Sequence, residues 1–131
     1  MLNFSMKILV IVLIVIAALS KAVKDTLNFH YGNSIFSKLQ PEQWWNPLIS
    51  WANKYKSAQD LRPKFWGSTT IFVMITDAWH LFDFIGIICL LGAVCCYQVL
   101  VYPIVDFLIY YVIYTGIFEL CYRGFLLKSR E

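Results

Sequence analysis

The feature that most constrains this chain is a long apolar stretch that contains no basic residue. No Lys or Arg occurs between Ser68 and Tyr122, and the residues from Ser68 to Tyr102 are almost all apolar. A soluble domain of this size needs polar surface, whereas lipid solvates apolar surface directly. At about 1.5 Å per residue, one helix over 68–102 would be far longer than the roughly 30 Å hydrocarbon core of a bilayer. The stretch therefore predicts a membrane-spanning helix followed by a turn.

Pro103 is the predicted turn or kink, because proline does not continue a helix. It separates two predicted spans, near residues 72–97 and 104–122. Another apolar run, residues 8–19, lies near the N-terminus. It is consistent with a cleaved signal peptide, with Lys7 before the run and Ser20 and Ala22 at the cleavage site. It is also consistent with a retained helix over about residues 7–29.

The distribution of basic residues favours the retained helix. Apart from Lys7, they fall within residues 21–67 and in the C-terminal tail from Arg123 onward. Lys and Arg accumulate on the cytoplasmic side of membrane proteins, so an outside N-terminus would place both groups in the cytoplasm. Cleavage would leave both outside. The sequence therefore predicts an N-out, C-in protein of the bacterial inner membrane. Basic residues placed beside membrane helices report topology, and we expect no nucleic-acid partner.

The segment between the first two spans contains a predicted interfacial helix. Gly32 and Asn33 are typical of a helix end, and Asn46 followed by Pro47 is typical of a helix start. An apolar stripe with helical spacing follows: Leu48, Trp51, Ala52 and Tyr55. Such a stripe with nearby Trp residues favours a helix lying in the membrane interface, although packing on protein would produce the same pattern. The predicted fold is a single all-α membrane domain over 1–131, with about three spans and this short amphipathic helix in a cytoplasmic loop, 31–67.

Four acids and one histidine lie in the region without basic residues, where each ionisable group needs an explanation. Asp106 falls in the first turn of the third span, where the helix dipole favours an acid. Glu119 precedes Arg123 by four residues, which predicts a helical ion pair. The remaining three are Asp77, His80 and Asp83. With Thr69 and Thr76 they form one predicted polar stripe on the second span.

The spacing of Asp77 and His80 is found in metal-binding helices, and also in simple hydrogen-bonded pairs that hold helices together. The predicted topology brings His30, at the end of the first span, and Glu119 to the same side of the membrane. A metal cation would balance the negative charge of these acids in a region without Lys and Arg, and a ligand set of imidazole and carboxylate suits Zn, Fe or Mn. The candidate metal ligands are therefore His30, Asp77, His80 and Glu119. A proton-handling or hydrolytic centre would use the same groups.

Three segments resemble a group of small uncharacterised bacterial integral membrane proteins, of Bacteroidota or of their phages. They are Ser20-Lys21-Ala22 through His30-Tyr31, Trp51 through Tyr55, and Gly67-Ser68-Thr69-Thr70 through Asp77-Ala78-Trp79-His80-Leu81. The resemblance covers roughly residues 20–82. It implies an integral membrane protein and carries no activity with it.

Two functions remain open. The first is an accessory, scaffold or assembly subunit, whose partners are the lipid bilayer and a larger membrane complex or further copies of the chain. Small size and aromatic surfaces favour it. The second is a membrane-embedded, metal-dependent enzyme that acts on a lipid-like substrate at the cytoplasmic side, favoured by the predicted convergence of His30, Asp77, His80 and Glu119. A small channel is less favoured, because three short helices enclose a pore only as an oligomer.

Overall fold

A computed structural model describes the backbone of residues 2–128 and the side chains of residues 4–128. These residues form α-helices and short 3-10 and π-helical turns, and no strand occurs among them. The α-helices are α1 (Leu2–His30), α2 (Glu42–Trp45), α3 (Pro47–Ser50), α4 (Ala78–Cys96) and α5 (Pro103–Cys121). Turns of 3-10 helix cover Tyr31–Asn33, Ile35–Lys38, Trp51–Lys54 and Val73–Ile75, and a π-helical segment, Tyr122–Leu126, continues α5.

The predicted all-α fold with three long apolar helices is confirmed. By length and composition, the segments Phe4–Asn33, Ala78–Cys96 and Pro103–Leu126 can each cross a membrane. The first and third segments contain the predicted spans 7–29 and 104–122. Pro103 occupies the first turn of α5, where its missing N–H costs no hydrogen bond.

The second span begins later than predicted. Residues 72–77 lie outside α4, and Thr69, Thr76 and Asp77 therefore precede the helix instead of lying along its face. Asp77 has extended backbone, and its side chain accepts the His80 N–H, which makes it the N-cap of α4. Aspartate is favoured as a cap because its carboxylate satisfies an N–H that has no partner within the helix. The prediction had included residues 72–77 in the helix because it followed apolarity alone.

Small residues let α1 and α4 pack closely. Ala18, Ala22 and Thr26 recur at every fourth position of α1, and all three are buried. On α4, a Cβ added to Gly86 would lie 3.6 Å from the Cβ of Ser20, and one added to Gly92 would lie 3.4 Å from Leu13. Packing of this kind drives helix association in membranes, where lipid solvates apolar surface as well as a protein does.

Helix α1 lies between the other two long helices and packs against both. Toward the α4–α5 turn, the core consists of Val10, Ala93 and Tyr110, one residue from each helix. At the opposite end it consists of Leu27, Phe36 and Ala78, with Trp residues of the loop and of α4 around them. Thus α4 runs antiparallel to α1, and α5 parallel to it.

Residues 31–77 fold over the end of the bundle where α1 and α5 finish and α4 begins; we call this the loop end. The predicted helix start is confirmed, because Asn46 Oδ1 accepts the Leu48 N–H at 3.0 Å and Pro47 follows it. Leu48 is 81% exposed on the outer side. On the inner side, Asn53 Nδ2 donates to the carbonyl of Thr76 at 2.9 Å. The predicted interfacial helix forms as two short pieces, α3 and the 3-10 turn Trp51–Lys54, and Tyr55 follows them in an isolated bridge. Its location in the membrane interface stays a prediction.

The C-terminal segment is attached to the same end. Leu127 forms an isolated antiparallel bridge with Ser34, and the Lys128 ammonium donates to Ser37 Oγ at 2.8 Å. The basic residues of the loop and the described part of the basic C-terminal tail therefore lie on one side of the bundle, as the charge distribution predicted.

Candidate functional site

The start of α4 holds a buried carboxylate with its partners already in place. The Asp77 side chain is 2% exposed. Its Oδ1 accepts the His80 backbone N–H at 2.9 Å, and its Oδ2 lies 2.7 Å from His80 Nδ1. Thr76 Oγ1 also donates to Oδ2 at 3.3 Å. Both oxygens are therefore engaged, one with the backbone and one with the imidazole.

The Asp77 contact fixes the chemistry of His80. A carboxylate at Nδ1 favours a hydrogen on that nitrogen, so that in the neutral ring Nε2 is the acceptor. The ring also packs edge-on against Trp79, with centroids 4.9 Å apart. The His80 side chain remains 21% exposed. A histidine oriented in this way can take a proton from, or donate one to, a group that reaches Nε2.

A cavity of about 120 Å³ lies beside this pair. It is lined by residues from three parts of the fold, which are Asn28 of α1, Pro47, Ser50 and Trp51 of the loop, and Asp77, Trp79 and His80 at the start of α4. Ser50 is only 3% exposed. Trp79, another lining residue, has a buried indole N–H without a hydrogen-bond partner among the described residues.

The third acid of the predicted stripe, Asp83, is neutralised by α1. Its carboxylate accepts a hydrogen bond from the Lys24 ammonium, and the same ammonium lies 5.3 Å from the centroid of the Trp79 ring. Lys21 pairs with Asp25 one turn away on α1. The local absence of Lys and Arg from 68–122 had suggested that a metal compensates these acids. The compensating charge for Asp83 instead comes from another helix.

The four predicted metal ligands are distributed over separate contacts. His30 packs edge-on against Tyr122, with ring centroids 5.7 Å apart. Glu119 pairs with Arg123 at 2.7 Å, as its spacing predicted. Asp77 and His80 form the pair described above. Within residues 2–128, no group of three or more His, Cys, Asp or Glu side chains is arranged to hold a metal ion. The metal site stays a prediction.

The other buried acid, Asp106, lies at the opposite end of the bundle. It occupies the first turn of α5, as predicted, and is fully buried. Its carboxylate accepts the N–H groups of Leu100 and Val101 at 2.8 and 3.0 Å and the hydroxyl of Tyr97 at 2.8 Å. This donor set holds the α4–α5 turn together and leaves the carboxylate without a neighbouring imidazole.

The sequence reasoning did not identify Lys24 or Ser50. Lys24 was detectable in part, because Lys21, Lys24, Asp25 and Asn28 recur at spacings of three and four and so form a polar stripe on α1. Nothing in the local sequence singles out Ser50. Its place in the lining of the cavity that His80 also lines depends on how the loop folds back over the start of α4.

The fold and the three apolar helices define the class: a small all-α protein with helices suited to a lipid bilayer. The chain matches no protein family, no curated protein and no solved structure in the three comparisons made. Functional inference for this chain therefore depends on its own geometry.

Proposed function

We propose that this protein is an accessory or assembly subunit of a larger membrane complex. The observation that carries the proposal is the unequal use of the three long helices. The most apolar window of α1 is 28% buried within the chain, whereas that of the α5 segment is 6% buried. Helix α5 therefore contributes little to the fold of a single copy and leaves most of its surface for lipid or for another protein.

The outer surface of α5 also has the shape that a partner helix needs. Val105, Leu108, Ile109, Val112 and Ile113 line a shallow apolar groove. Grooves between side-chain ridges accept the ridges of a neighbouring helix. The charged residues inside the bundle do not compete for such a partner, because Lys24 and Asp83 already pair across α1 and α4.

The test places a photoreactive amino acid at Val112, which is 66% exposed on α5. Illumination in cells is expected to yield a discrete cross-linked protein. A matched control places the same group at Ile88, which is 50% exposed on α4. A product from Val112 alone supports the proposal, and its mass distinguishes a second copy from a different protein. Equal, diffuse lipid products from both positions would contradict it.

We further propose that the loop end faces the cytoplasm of a bacterial cell, with the N-terminus outside. The basic residues of the loop and tail lie together at this end, which agrees with the positive-inside tendency. The test uses a variant without its four cysteines, into which a single cysteine is introduced at Lys56 in the loop. Protection from a membrane-impermeant thiol reagent is expected in intact cells, and a cysteine at Val99 in the α4–α5 turn should react. The reverse pattern would overturn the orientation.

A second candidate function is a membrane enzyme that acts on a lipid-like substrate at the loop end. The observation that favours it is the His80 imidazole, which buried Asp77 orients beside a cavity. This function is compatible with the first, because the cavity and the outer face of α5 are different surfaces. If this enzyme depends on a metal, His30 would have to leave its contact with Tyr122, and Glu119 its pair with Arg123, before either could share a metal with His80.

Elemental analysis of protein purified in mild detergent without chelator tests the metal-dependent form. A stoichiometric metal that is lost in both His80→Ala and His30→Ala would support it. A metal content that stays near zero, or that is unchanged in these variants, would remove it. The same samples should be assayed for hydrolysis of lipid esters, since a metal-free centre at His80 would show activity without metal.

A further inference from the structure

We infer that a groove between α1 and α4 binds one phospholipid whose headgroup carries a primary amine, as in phosphatidylethanolamine. The groove has a volume of about 230 Å³. Its lining includes Lys21 and Lys24 of α1, Asp83, Gly86 and Leu90 of α4, and Tyr114 of α5. It shares no lining residue with the outer surface of α5 or with the cavity beside His80. A lipid bound here therefore depends on neither of the proposed functions.

The groove is charged toward the loop end and apolar toward the middle of the bundle. On α4, Asp83 comes first, and Leu90 follows seven residues later, about 10 Å further along the helix axis. On α1, which runs in the opposite direction, Ala17 precedes Lys24 by the same number of residues. Both helices therefore place charge near the loop end and apolar side chains deeper. A phospholipid in the adjacent leaflet has the same order, because its headgroup lies at the surface and its acyl chains lie in the hydrocarbon core.

The apolar part of the groove has a floor of small residues and an open side. Gly86 has no side chain to fill the space, and a Cβ added to it would lie 3.6 Å from the Cβ of Ser20 and 3.9 Å from the carbonyl oxygen of Ala17. Ile87 and Leu90, which also line the groove, are 50% and 41% exposed. An acyl chain can therefore enter from the surrounding lipid and lie along α4 without displacing the contact between the two helices.

The two lysines retain hydrogen-bond donors for a phosphate group. An ammonium group has three N–H donors. Lys21 uses one of them on Asp25, and Lys24 uses one on Asp83. The Lys21 side chain is 42% exposed, so its other donors can reach a phosphate oxygen in the groove. Basic pockets between membrane helices bind phospholipid headgroups in the same way.

The balance of charge in the groove selects the headgroup. Two carboxylates, Asp25 and Asp83, match the two lysines, so the group has no net charge and does not favour an anionic lipid. A zwitterionic headgroup fits, because its phosphate can accept hydrogen bonds from lysine while its amine meets a carboxylate. The Asp83 side chain is 32% exposed and can accept a further hydrogen bond. A primary amine donates that bond, whereas the quaternary ammonium of phosphatidylcholine has no N–H.

The test uses native mass spectrometry of the full chain, purified in detergent and freed of bound lipid. Phosphatidylethanolamine, phosphatidylcholine and phosphatidylglycerol with identical acyl chains are added in turn. We expect one phosphatidylethanolamine per chain, bound about tenfold or more tightly than phosphatidylcholine, which is the effect of one hydrogen bond to a charged group. Equal binding of the three lipids, or a preference for phosphatidylglycerol, would overturn the inference.

Two variants locate the bound lipid. Asp83→Asn removes a negative charge, so the preference should change from phosphatidylethanolamine to phosphatidylglycerol. Lys21→Gln should weaken binding of phosphatidylethanolamine by about tenfold, because the phosphate loses a charged donor. Since Lys21 pairs within its own helix, this second variant leaves the ion pair between α1 and α4 intact. The matched control is Lys56→Gln, at an exposed lysine of the loop, which should bind as the unmodified protein does.

A preference for phosphatidylethanolamine that survives Asp83→Asn would place the lipid elsewhere on the protein and overturn the site. Binding that is equally strong in Lys21→Gln and in Lys56→Gln would do the same.

Discussion

Two helices of this protein begin beside a buried aspartate, and the two aspartates do different things. Asp77, at the start of α4, shares its carboxylate between a backbone N–H and the imidazole of His80. Asp106, in the first turn of α5, binds two backbone N–H groups and the hydroxyl of Tyr97. Both side chains are almost entirely removed from solvent.

The difference shows how a buried charge can be either structural or available for chemistry. Asp106 accepts hydrogen bonds from donors of the α4–α5 turn, among them the phenol of Tyr97, and these bonds hold the turn together. Asp77 bonds an imidazole, a group suited to general acid–base chemistry, and this imidazole lines a cavity. The type of partner, and not burial alone, therefore decides whether a carboxylate can contribute to a reactive site.

The largest effect is expected at the purely structural aspartate. Asp106→Ala should lower the free energy of unfolding by about 3 kcal/mol or more, because it removes the charged acceptor of three hydrogen bonds, each of which contributes roughly 1.5–3 kcal/mol. Reversible unfolding in mixed detergent micelles measures the loss. Tyr97→Phe, which removes one of these donors, should cost only about 1 kcal/mol. Equal losses in the two variants would show that the turn does not depend on the carboxylate.

At Asp77, the contribution of the helix cap to stability can be separated from the contribution of the contact with the His80 imidazole. Asp77→Ala removes both and should cost about 1–2 kcal/mol, in the range measured for lost helix caps. Asp77→Ser keeps a capping oxygen but loses the pairing with His80, so most of the stability should return. The same unfolding assay compares the two variants. A serine variant as unstable as the alanine variant would mean that the imidazole contact, and not the cap, stabilises this end.

The pair between Lys24 and Asp83 extends the comparison to a charge partly open to solvent. Their side chains are 23% and 32% exposed, which weakens the interaction relative to a buried pair. A double-mutant cycle with Lys24→Met and Asp83→Asn should give a coupling energy of about 1 kcal/mol. The double variant should be more stable than the sum of the single variants predicts. Strict additivity would indicate that the two charges do not interact.

The smallest expected effect is the loss of stability of the α4–α5 turn, which Asp106 holds together, at alkaline pH. The hydrogen bond that Tyr97 donates to Asp106 raises the pKa of the Tyr97 hydroxyl above its ordinary value of 10.0. Because the pKa is higher in the folded state, the stabilisation is complete below about pH 10 and is lost as the pH rises through the folded pKa. The unfolding free energy of the unmodified protein should therefore fall more steeply above pH 10 than that of Tyr97→Phe. Parallel curves would contradict this assignment.

Predictions from the sequence succeeded where the signal was local. The turn at Pro103, the cap at Asn46 and the pair of Glu119 with Arg123 each depend on residues within four positions of one another. Prediction of the start of α4 failed because apolarity continues through residues 72–77, whereas the helix begins only where Asp77 can cap it. Of the predicted polar stripe, only His80 and Asp83 therefore lie within α4.

The sequence by itself thus determined that the chain forms three long apolar helices and that the basic residues of the loop and of the C-terminal tail belong to one end. Hydropathy and charge are sums over neighbouring residues, so they require no knowledge of packing. Only the tertiary structure decided which groups meet at that end. Lys24 reaches Asp83 because α1 and α4 pack antiparallel, and Ser50 reaches the cavity of His80 because the loop folds back over the bundle. Such contacts join residues far apart in the chain, and their geometry follows from the packing of every helix between them.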